Sequence, residues 1–328
     1  MIKRISILIM ALVPMMLWAQ FAPEAGIVGT TAMHCDSSAF VAWATGCTLE
    51  RGPQCVDSLE LGVTTFGDES MALGKAGGVM DVVSLGDGGK AILTFDSPIF
   101  NGLGPDFAVF ENAFHNVPHC FLELAFVEVS SDGENYFQFP AVTNVPADSL
   151  NMQLPNGSVM DATLIHNFAG KYEALYGTPF DLDDLEDNVL LDKNHITHVR
   201  LIDVVGTINP ESEYATYDSQ GHIINDPFPT PFWSSGFDLD AVGVIHDIAH
   251  NDLPENTTDA VAVYPNPVRN QLTVKAENLQ SVEVYNLVGQ MVMNSTSAVI
   301  DLSNLNEGIY FVRIKADGKT VVKRVVKQ

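Results

Sequence analysis

An all-β architecture is predicted: a large β-sandwich or jelly roll followed by a much smaller strand-built unit. Two observations carry it. Short runs rich in Val, Ile and Phe recur between clusters of Gly, Pro, Asn and Asp, which is how strands and their turns read. Helical periodicity is weak and confined to residues 169–176 and 181–191, so there are too few crossover helices for an α/β sheet. Strands at this spacing without helices between them indicate a sandwich or jelly roll.

Taken in order, residues 1–19 read as a signal peptide. Lys3 and Arg4 precede an apolar run over 5–18, and Ala19 is a plausible cleavage position before Gln20. That run is short for a membrane span, which needs roughly 20 residues. No other stretch approaches spanning length, so no transmembrane segment is expected in the mature chain. Residues 20–254 follow as one acidic cargo domain, with strands expected at 90–95, 107–110, 124–129, 136–139, 198–204 and 241–245. Asp132-Gly133, after Glu128-Val129-Ser130, is a tight-turn signal between two strands. A linker is expected at 255–262. Residues 263–328 close the chain with short alternating runs at 271–275, 281–284, 289–293, 308–314 and 321–326.

Charge separates these parts. The chain has 16 basic and 41 acidic residues, a net of −25. Eight basic and seven acidic residues lie from Glu255 onward, and two basic ones in the leader. The cargo domain is left with six basic and 34 acidic residues, a net of −28. Such a field repels nucleic acid and anionic lipid and attracts cations. It reads either as solubility alone or as carboxylates that ligate a hard cation such as calcium, which takes six to eight oxygens. Disorder does not account for it, because 46% of the chain is apolar and the acids are interleaved with strand-like runs.

The four cysteines, Cys35, Cys47, Cys55 and Cys120, suggest two disulfides in an exported chain. One local loop among residues 35–55 is expected, with the remaining member tied to Cys120. No Cys-x-x-Cys occurs, which disfavours metal–thiolate binding.

Several acidic groups are placed to ligate a cation. Asp106 stands just before an apolar strand and Glu111-Asn112 just after it. Gly236-Phe237-Asp238-Leu239-Asp240-Ala241 puts Asp238 and Asp240 on one face and Phe237, Leu239 and Ala241 on the other. Two carboxylates on one face repel unless a cation lies between them, and basic partners are few. Asp106, Glu111, Asn112, Asp238 and Asp240 are therefore the expected calcium ligands, the same residues also reading as ordinary turn-formers and solvated faces. Pro227-Phe228-Pro229-Thr230-Pro231-Phe232-Trp233 is a rigid aromatic loop running into that strand. Phe232 and Trp233 read as a sugar-stacking surface, or else as caps on the sandwich core.

The C-terminal segment closely resembles the type A C-terminal sorting domain of cargo for the type IX secretion system of Bacteroidetes. The matching pieces are Tyr264-Pro265-Asn266-Pro267, Val284-Tyr285-Asn286-Leu287-Val288-Gly289-Gln290, Leu302-Ser303-Asn304-Leu305, Gly308-Ile309-Tyr310-Phe311-Val312 and the basic Lys323-Arg324-Val325-Val326-Lys327 end. The resemblance implies an Ig-like sandwich, the secretion machinery as partner, export through the periplasm and across the outer membrane, and attachment at the cell surface. Residues 31–247 are similar, less sharply, to bacterial cell-surface proteins of unassigned function with a galactose-binding-like jelly roll. The pieces that carry this are 83–89, 106–112, 126–133, 198–203 and 236–243. That likeness implies a fold and no catalytic residue.

Enzyme signatures are absent from the sequence: no Gly-x-Ser-x-Gly, no His-Glu-x-x-His and no phosphate-cradling Gly-x-x-x-x-Gly-Lys. The expected function is a secreted or surface-anchored, calcium-stabilised protein that binds a glycan or another extracellular ligand. A secreted polysaccharide hydrolase using paired carboxylates, or a structural surface-layer component, are the alternatives.

Overall fold

A computed structural model describes residues 21–250, 261–276, 278–286, 291–316 and 319–328. The expected leader, linker residues 255–260 and Gly289 lie outside the described residues. The chain divides into two compact units, Met1–His250 and Asn251–Gln328. In chain order the first begins with β1 (Met33–His34), β2 (Ala42–Trp43), β3 (Gly46–Glu50), β4 (Val83–Ser84) and β5 (Lys90–Ile99). Next are β6 (Phe107–Glu111), β7 (Phe114–Asn116), β8 (His119–Phe121), β9 (Ala125–Ser130) and β10 (Phe137–Gln138). It ends with β11 (Val142–Thr143), β12 (Ile165–His166), β13 (Tyr176–Phe180), β14 (Ile196–Asp203) and β15 (Asp238–Val244). No α-helix occurs among the described residues. Of the two weakly helical segments, 181–191 holds one 3₁₀ turn, Leu182–Asp184, capped by the Asp181 side chain accepting from the Asp183 N–H.

Two sheets form a sandwich. One runs β1-β13-β6-β15-β2, with β4 also paired to β15; the other runs β10-β9-β14-β5-β3. Alternation along the strands explains how they pack. Phe107 and Val109 of β6, Phe180 of β13 and Val242 and Val244 of β15 face Leu93, Val127, Val129, Val199 and Leu201 of the other sheet. All five residues of β6 are buried, because its outer face is covered too: Ala108 and Phe110 pack under Phe40 and Trp43.

The sequence pattern fails at one point on β15. Leu239 pairs with Glu111 but Ala241 pairs with Phe110, so residue 240 is the extra member of a β-bulge. Ala241 is thereby turned to the outer face, against Ala108 and Phe110, instead of lying with Phe237 and Leu239.

The expected disulfides do not form, and all four cysteines are free. The fold disperses them. Cys35 packs on the outer face of the first sheet, Cys47 lies on β3 against the central core, Cys55 sits beside Phe228 and Val205, and Cys120 is on β8 in a cluster with Leu122 and Phe168.

Asp106 is also reassigned. It lies at the opposite end of β6 from Glu111, roughly 16 Å away at about 3.3 Å per strand residue. Its oxygens accept from the N–H groups of Gly102 (2.7 Å) and Leu182 (2.8 Å), with His246 Nδ1 at 2.8 Å. It ties three chain segments together and shares no site with Glu111 or Asp238.

The second unit carries β16 (Ala262–Tyr264), β17 (Gln271–Lys275), β18 (Leu279–Tyr285), β19 (Met291–Ser295), β20 (Val299–Asp301), β21 (Gly308–Ala316) and β22 (Lys319–Lys327). A three-stranded sheet, β16-β17-β20, and a four-stranded one, β19-β18-β21-β22, enclose Leu272, Val274, Val282, Val284, Tyr310, Val312 and Ile314. The Pro-Asn-Pro segment has a mechanical role. Asn266 accepts from the Val326 N–H and donates to the Arg324 carbonyl, both at 2.9 Å, and Val268 brackets the same strand end through Val326 and Gln328. The Tyr310 hydroxyl donates to the Asn306 carbonyl at 2.9 Å.

Replacing Asp106 with Ala leaves two backbone donors without acceptors. A loss on the order of 3 kcal/mol is expected, read as a lower urea midpoint at unchanged slope. An unchanged midpoint would remove Asp106 from the framework.

Candidate functional site

Where β6 ends and β15 begins, the chain brings carboxylates together. Glu111 closes β6, Asn112 follows it, and Asp238 opens β15 opposite Ser84 of β4. A pocket of about 430 Å³ opens here, lined by Asn112, Glu123 and Asp238 within a wall of Phe66, Phe114, Phe121, Phe232 and Trp233. Of the residues expected to ligate or bind, Asn112, Asp238, Phe232 and Trp233 therefore meet in one place, with Glu111 directly behind. Asp240 does not line it. The bulge gives its two oxygens to the N–H groups of Gly77 (2.8 Å) and Gly78 (3.0 Å), which fixes the loop before β4.

The aromatic rim is held from behind. The Trp233 carbonyl accepts from the Thr64 hydroxyl (2.6 Å) and from the Thr65 and Phe66 N–H groups (2.9 and 3.1 Å). Its ring meets Phe66 edge-on at 5.1 Å. Phe232 and Trp233 stay 48% and 56% exposed while Phe228 of the same loop is buried, so the first two face the pocket rather than cap the core.

The electrostatics are unusual. Asp238 accepts from the Ser84 hydroxyl and from Asn112 Nδ2 (3.0 Å), and burial pushes its carboxyl up to about 6 against those two bonds. Glu111 accepts from the Ala113 N–H at 2.7 Å, and burial followed by the Asp238 charge holds it well above the ordinary range. Glu123 is buried, and none of the described residues donates a hydrogen bond to its carboxylate. Burial, then Asp238, Glu111, Asp226 and Asp203, raise it well above the ordinary value. Behind this group, burial lifts Asp203 to about 8 and Asp87 to about 6 and raises Asp226 strongly, and one Asp226 oxygen is buried without a partner.

No basic side chain answers these six carboxylates. The cargo domain has only six cations, and each is engaged elsewhere. Arg51 donates to the carbonyls of Phe66, Gly67 and Ser84, and Lys171 to that of Ile165. Lys75 pairs with Asp36, Lys90 with Glu50, Lys193 with Asp187 and Arg200 with Glu128. A larger groove, about 540 Å³, carries Asp148 and His222 but gathers no such cluster.

Glu123 escaped sequence reasoning, as did the roles of Asp87, Asp203 and Asp226. A signal existed in Cys120-Phe121-Leu122-Glu123-Leu124-Ala125-Phe126, where one charge interrupts an otherwise apolar run. A charge so placed must be buried with a purpose or a partner.

Residues 262–328 match the family model of the secretion system C-terminal sorting domain. The C-terminal unit is a type IX sorting domain. The protein is accordingly exported by the type IX system and is secreted or displayed at the cell surface, and no helix among the described residues is long and apolar enough to cross a membrane. No curated protein matches the chain. Among solved structures it is similar to HBP35 of Porphyromonas gingivalis, at 14% identity over 76% of this chain and 61% of that one, with a TM-score of 0.20. The β-glucuronidases of Lactobacillus rhamnosus (10% identity, TM-score 0.22) and Faecalibacterium prausnitzii (13%, 0.19) align with 93% and 90% of this chain. Each alignment spans 46% of the enzyme. Likenesses this faint carry no functional meaning.

Two outcomes are expected. Deleting residues 263–328 should leave the cargo in the periplasm, read by cell fractionation; surface display of the truncated chain would break the assignment. In metal-free buffer, carboxyls titrating at 6–8 when folded and near 4 when unfolded hold protons only in the folded state. Stability then falls as pH rises from about 4 to 8. The melting temperature of the full chain should rise from pH 8 to pH 5, and a fall over that range would contradict the buried cluster.

Proposed function

We propose that residues 21–250 form a surface-displayed binding module. Its pocket takes a hard divalent cation of the calcium type on Glu123, Asp238, Glu111 and Asn112, and its aromatic rim receives an extracellular glycan. The observation that carries this reading is the Glu123 carboxylate, which lines the pocket beside Asp238 with no hydrogen-bond donor among the described residues, in a domain whose six cations are all committed elsewhere. Buried charge without a partner is costly, and a calcium ion coordinated by oxygens offsets it. Asn112 donates through Nδ2 to Asp238 and to the Val79 carbonyl, so its Oδ1 is free of that work and suits the same ion. The pocket volume falls in the range of small-ligand sites. Half-exposed Phe232 and Trp233 offer ring faces to a sugar, while the acidic floor accepts its hydroxyls.

A second reading uses the same groups. A carboxyl held near 6 beside a raised glutamic acid is the pairing a glycoside-cleaving general acid requires.

A thermal melt of the full chain with millimolar calcium, then EDTA, tests the first reading. Stabilisation of roughly 3 kcal/mol is expected when calcium stands near 100 times its dissociation constant. Glu123→Gln should abolish that shift, yet leave the EDTA-treated protein as stable as the parent or more so, because Gln resembles the protonated acid and never carries a charge there. Trp233→Ala should keep the calcium shift and lose glycan-array signal. A calcium shift that survives Glu123→Gln would sink the cation site. Sugar release from a polysaccharide panel, lost in Asp238→Asn, would favour the hydrolase instead.

A further inference from the structure

The hairpin of β7 and β8 places different chemistry on its two faces. Its register pairs Phe114 with Phe121, His115 with Cys120 and Asn116 with His119. Phe114 and Phe121 stack at 5.3 Å and form part of the aromatic pocket wall. Alternation sends His115 and Cys120 to the opposite face. There the N-terminal segment delivers Glu24, and ligand atoms of Glu24, His115 and Cys120 all lie within 4.8 Å of one another.

We propose that Glu24, His115 and Cys120 bind a divalent cation of the borderline class that zinc exemplifies, with His119 orienting the glutamate. Sulfur, imidazole and carboxylate together select such an ion over calcium, which takes oxygen alone. The spacing suits it. Bonds of about 2.3 Å to sulfur and 2.0 Å to nitrogen hold tetrahedral ligands roughly 3.5 Å apart, and Cys120 Sγ stands 3.8 Å from His115 Nδ1. His119 Nδ1 lies 2.8 Å from a Glu24 oxygen, the outer contact that fixes a metal-binding carboxylate. His115 is exposed, so the ion enters from solvent. On binding, the Cys120 S–H bond breaks as the metal–sulfur bond forms, and the proton leaves to water. Three protein ligands leave the fourth position to water. The bound ion would fasten the N-terminal segment to the hairpin that carries two walls of the pocket.

The neighbouring His34–Cys35–Asp36 group is a weaker rival. Its three members are consecutive, and Asp36 is already paired with Lys75 at 2.5 Å.

The test is titration of the reduced full chain with zinc chloride against a chromophoric chelator, with cobalt(II) as a spectroscopic substitute. One equivalent should bind, unaffected by excess calcium or by Glu123→Gln, and cobalt should show sulfur-to-metal charge transfer that disappears in Cys120→Ser. His115→Ala, at an exposed position, and the near-isosteric Glu24→Gln should weaken zinc at least tenfold with unchanged circular dichroism, and His119→Ala roughly 10–100-fold. Zinc affinity unchanged in both Cys120→Ser and His115→Ala, dependence on Cys35 instead, or no binding above buffer would each overturn the proposal.

Discussion

The constraint on which the cargo domain turns is negative charge buried without positive charge to meet it. Asp87, Glu111, Asp203 and Asp226 are buried, and Glu123 and Asp238 are largely buried where they line the pocket. A folded chain has three ways to carry such groups: pair them with cations, surround them with donors, or let them take up protons. The first is closed here, because the six basic side chains are spent on carbonyls and on surface acids. The second is used partly. Asp203 accepts from the Phe237 and Gly88 N–H groups at 2.6 and 2.8 Å, and Asp87 from Val56 at 2.8 Å. Glu123 has neither remedy. It lines the pocket, where burial and the neighbouring carboxylates favour its protonated form and leave it open to a foreign cation.

Topology decides where this charge collects. Strands β6 and β15 are antiparallel neighbours, so the end of one lies beside the start of the other. Glu111 and Asp238 are neighbours for that reason alone. The bulge at residue 240 then separates the fates of two aspartates only two positions apart: Asp238 goes to the pocket and Asp240 to the 77–78 turn. The back wall is built by close backbone approach. Gly236 has φ of +70°, and a Cβ there would stand 2.8 Å from Asp203 Oδ1 and 2.7 Å from the Gly86 carbonyl carbon. Only glycine admits this conformation and this contact together.

Much of the fold was legible because half-buried strands announce themselves by composition and by their turns. The runs that became β5, β6, β9 and β14 were bounded to within a few residues, and the sorting motif was readable piece by piece. The site was less legible, for identifiable reasons. A single inserted residue on β15 reverses side-chain facing, and nothing local to Asp238-Leu239-Asp240 reveals it. Asp106 looked like a partner for Glu111 because five residues are close in sequence, but a strand stretches them apart. Cysteine count suggested disulfides, whereas pairing depends on which cluster each thiol joins, and the four join different ones. Glu123 reaches the pocket from outside the β6–β15 pair, and only the fold shows that.

In the proposed cation site the proton and the cation would compete for the same oxygens, which would link the site to its surroundings. Carboxyls raised by burial must lose their protons before a divalent ion can bind, so part of the ion's binding energy goes into deprotonation and apparent affinity falls as pH drops. The cargo domain's net charge of −28 works in the other direction, concentrating cations near the pocket mouth, most strongly at low ionic strength. A protein delivered outside the cell meets pH and salt set by its medium. On the proposed reading, occupancy would be set by that medium as much as by pocket geometry, and a protonated, ion-free pocket and an ionised, ion-filled one would be the two ends of a single equilibrium.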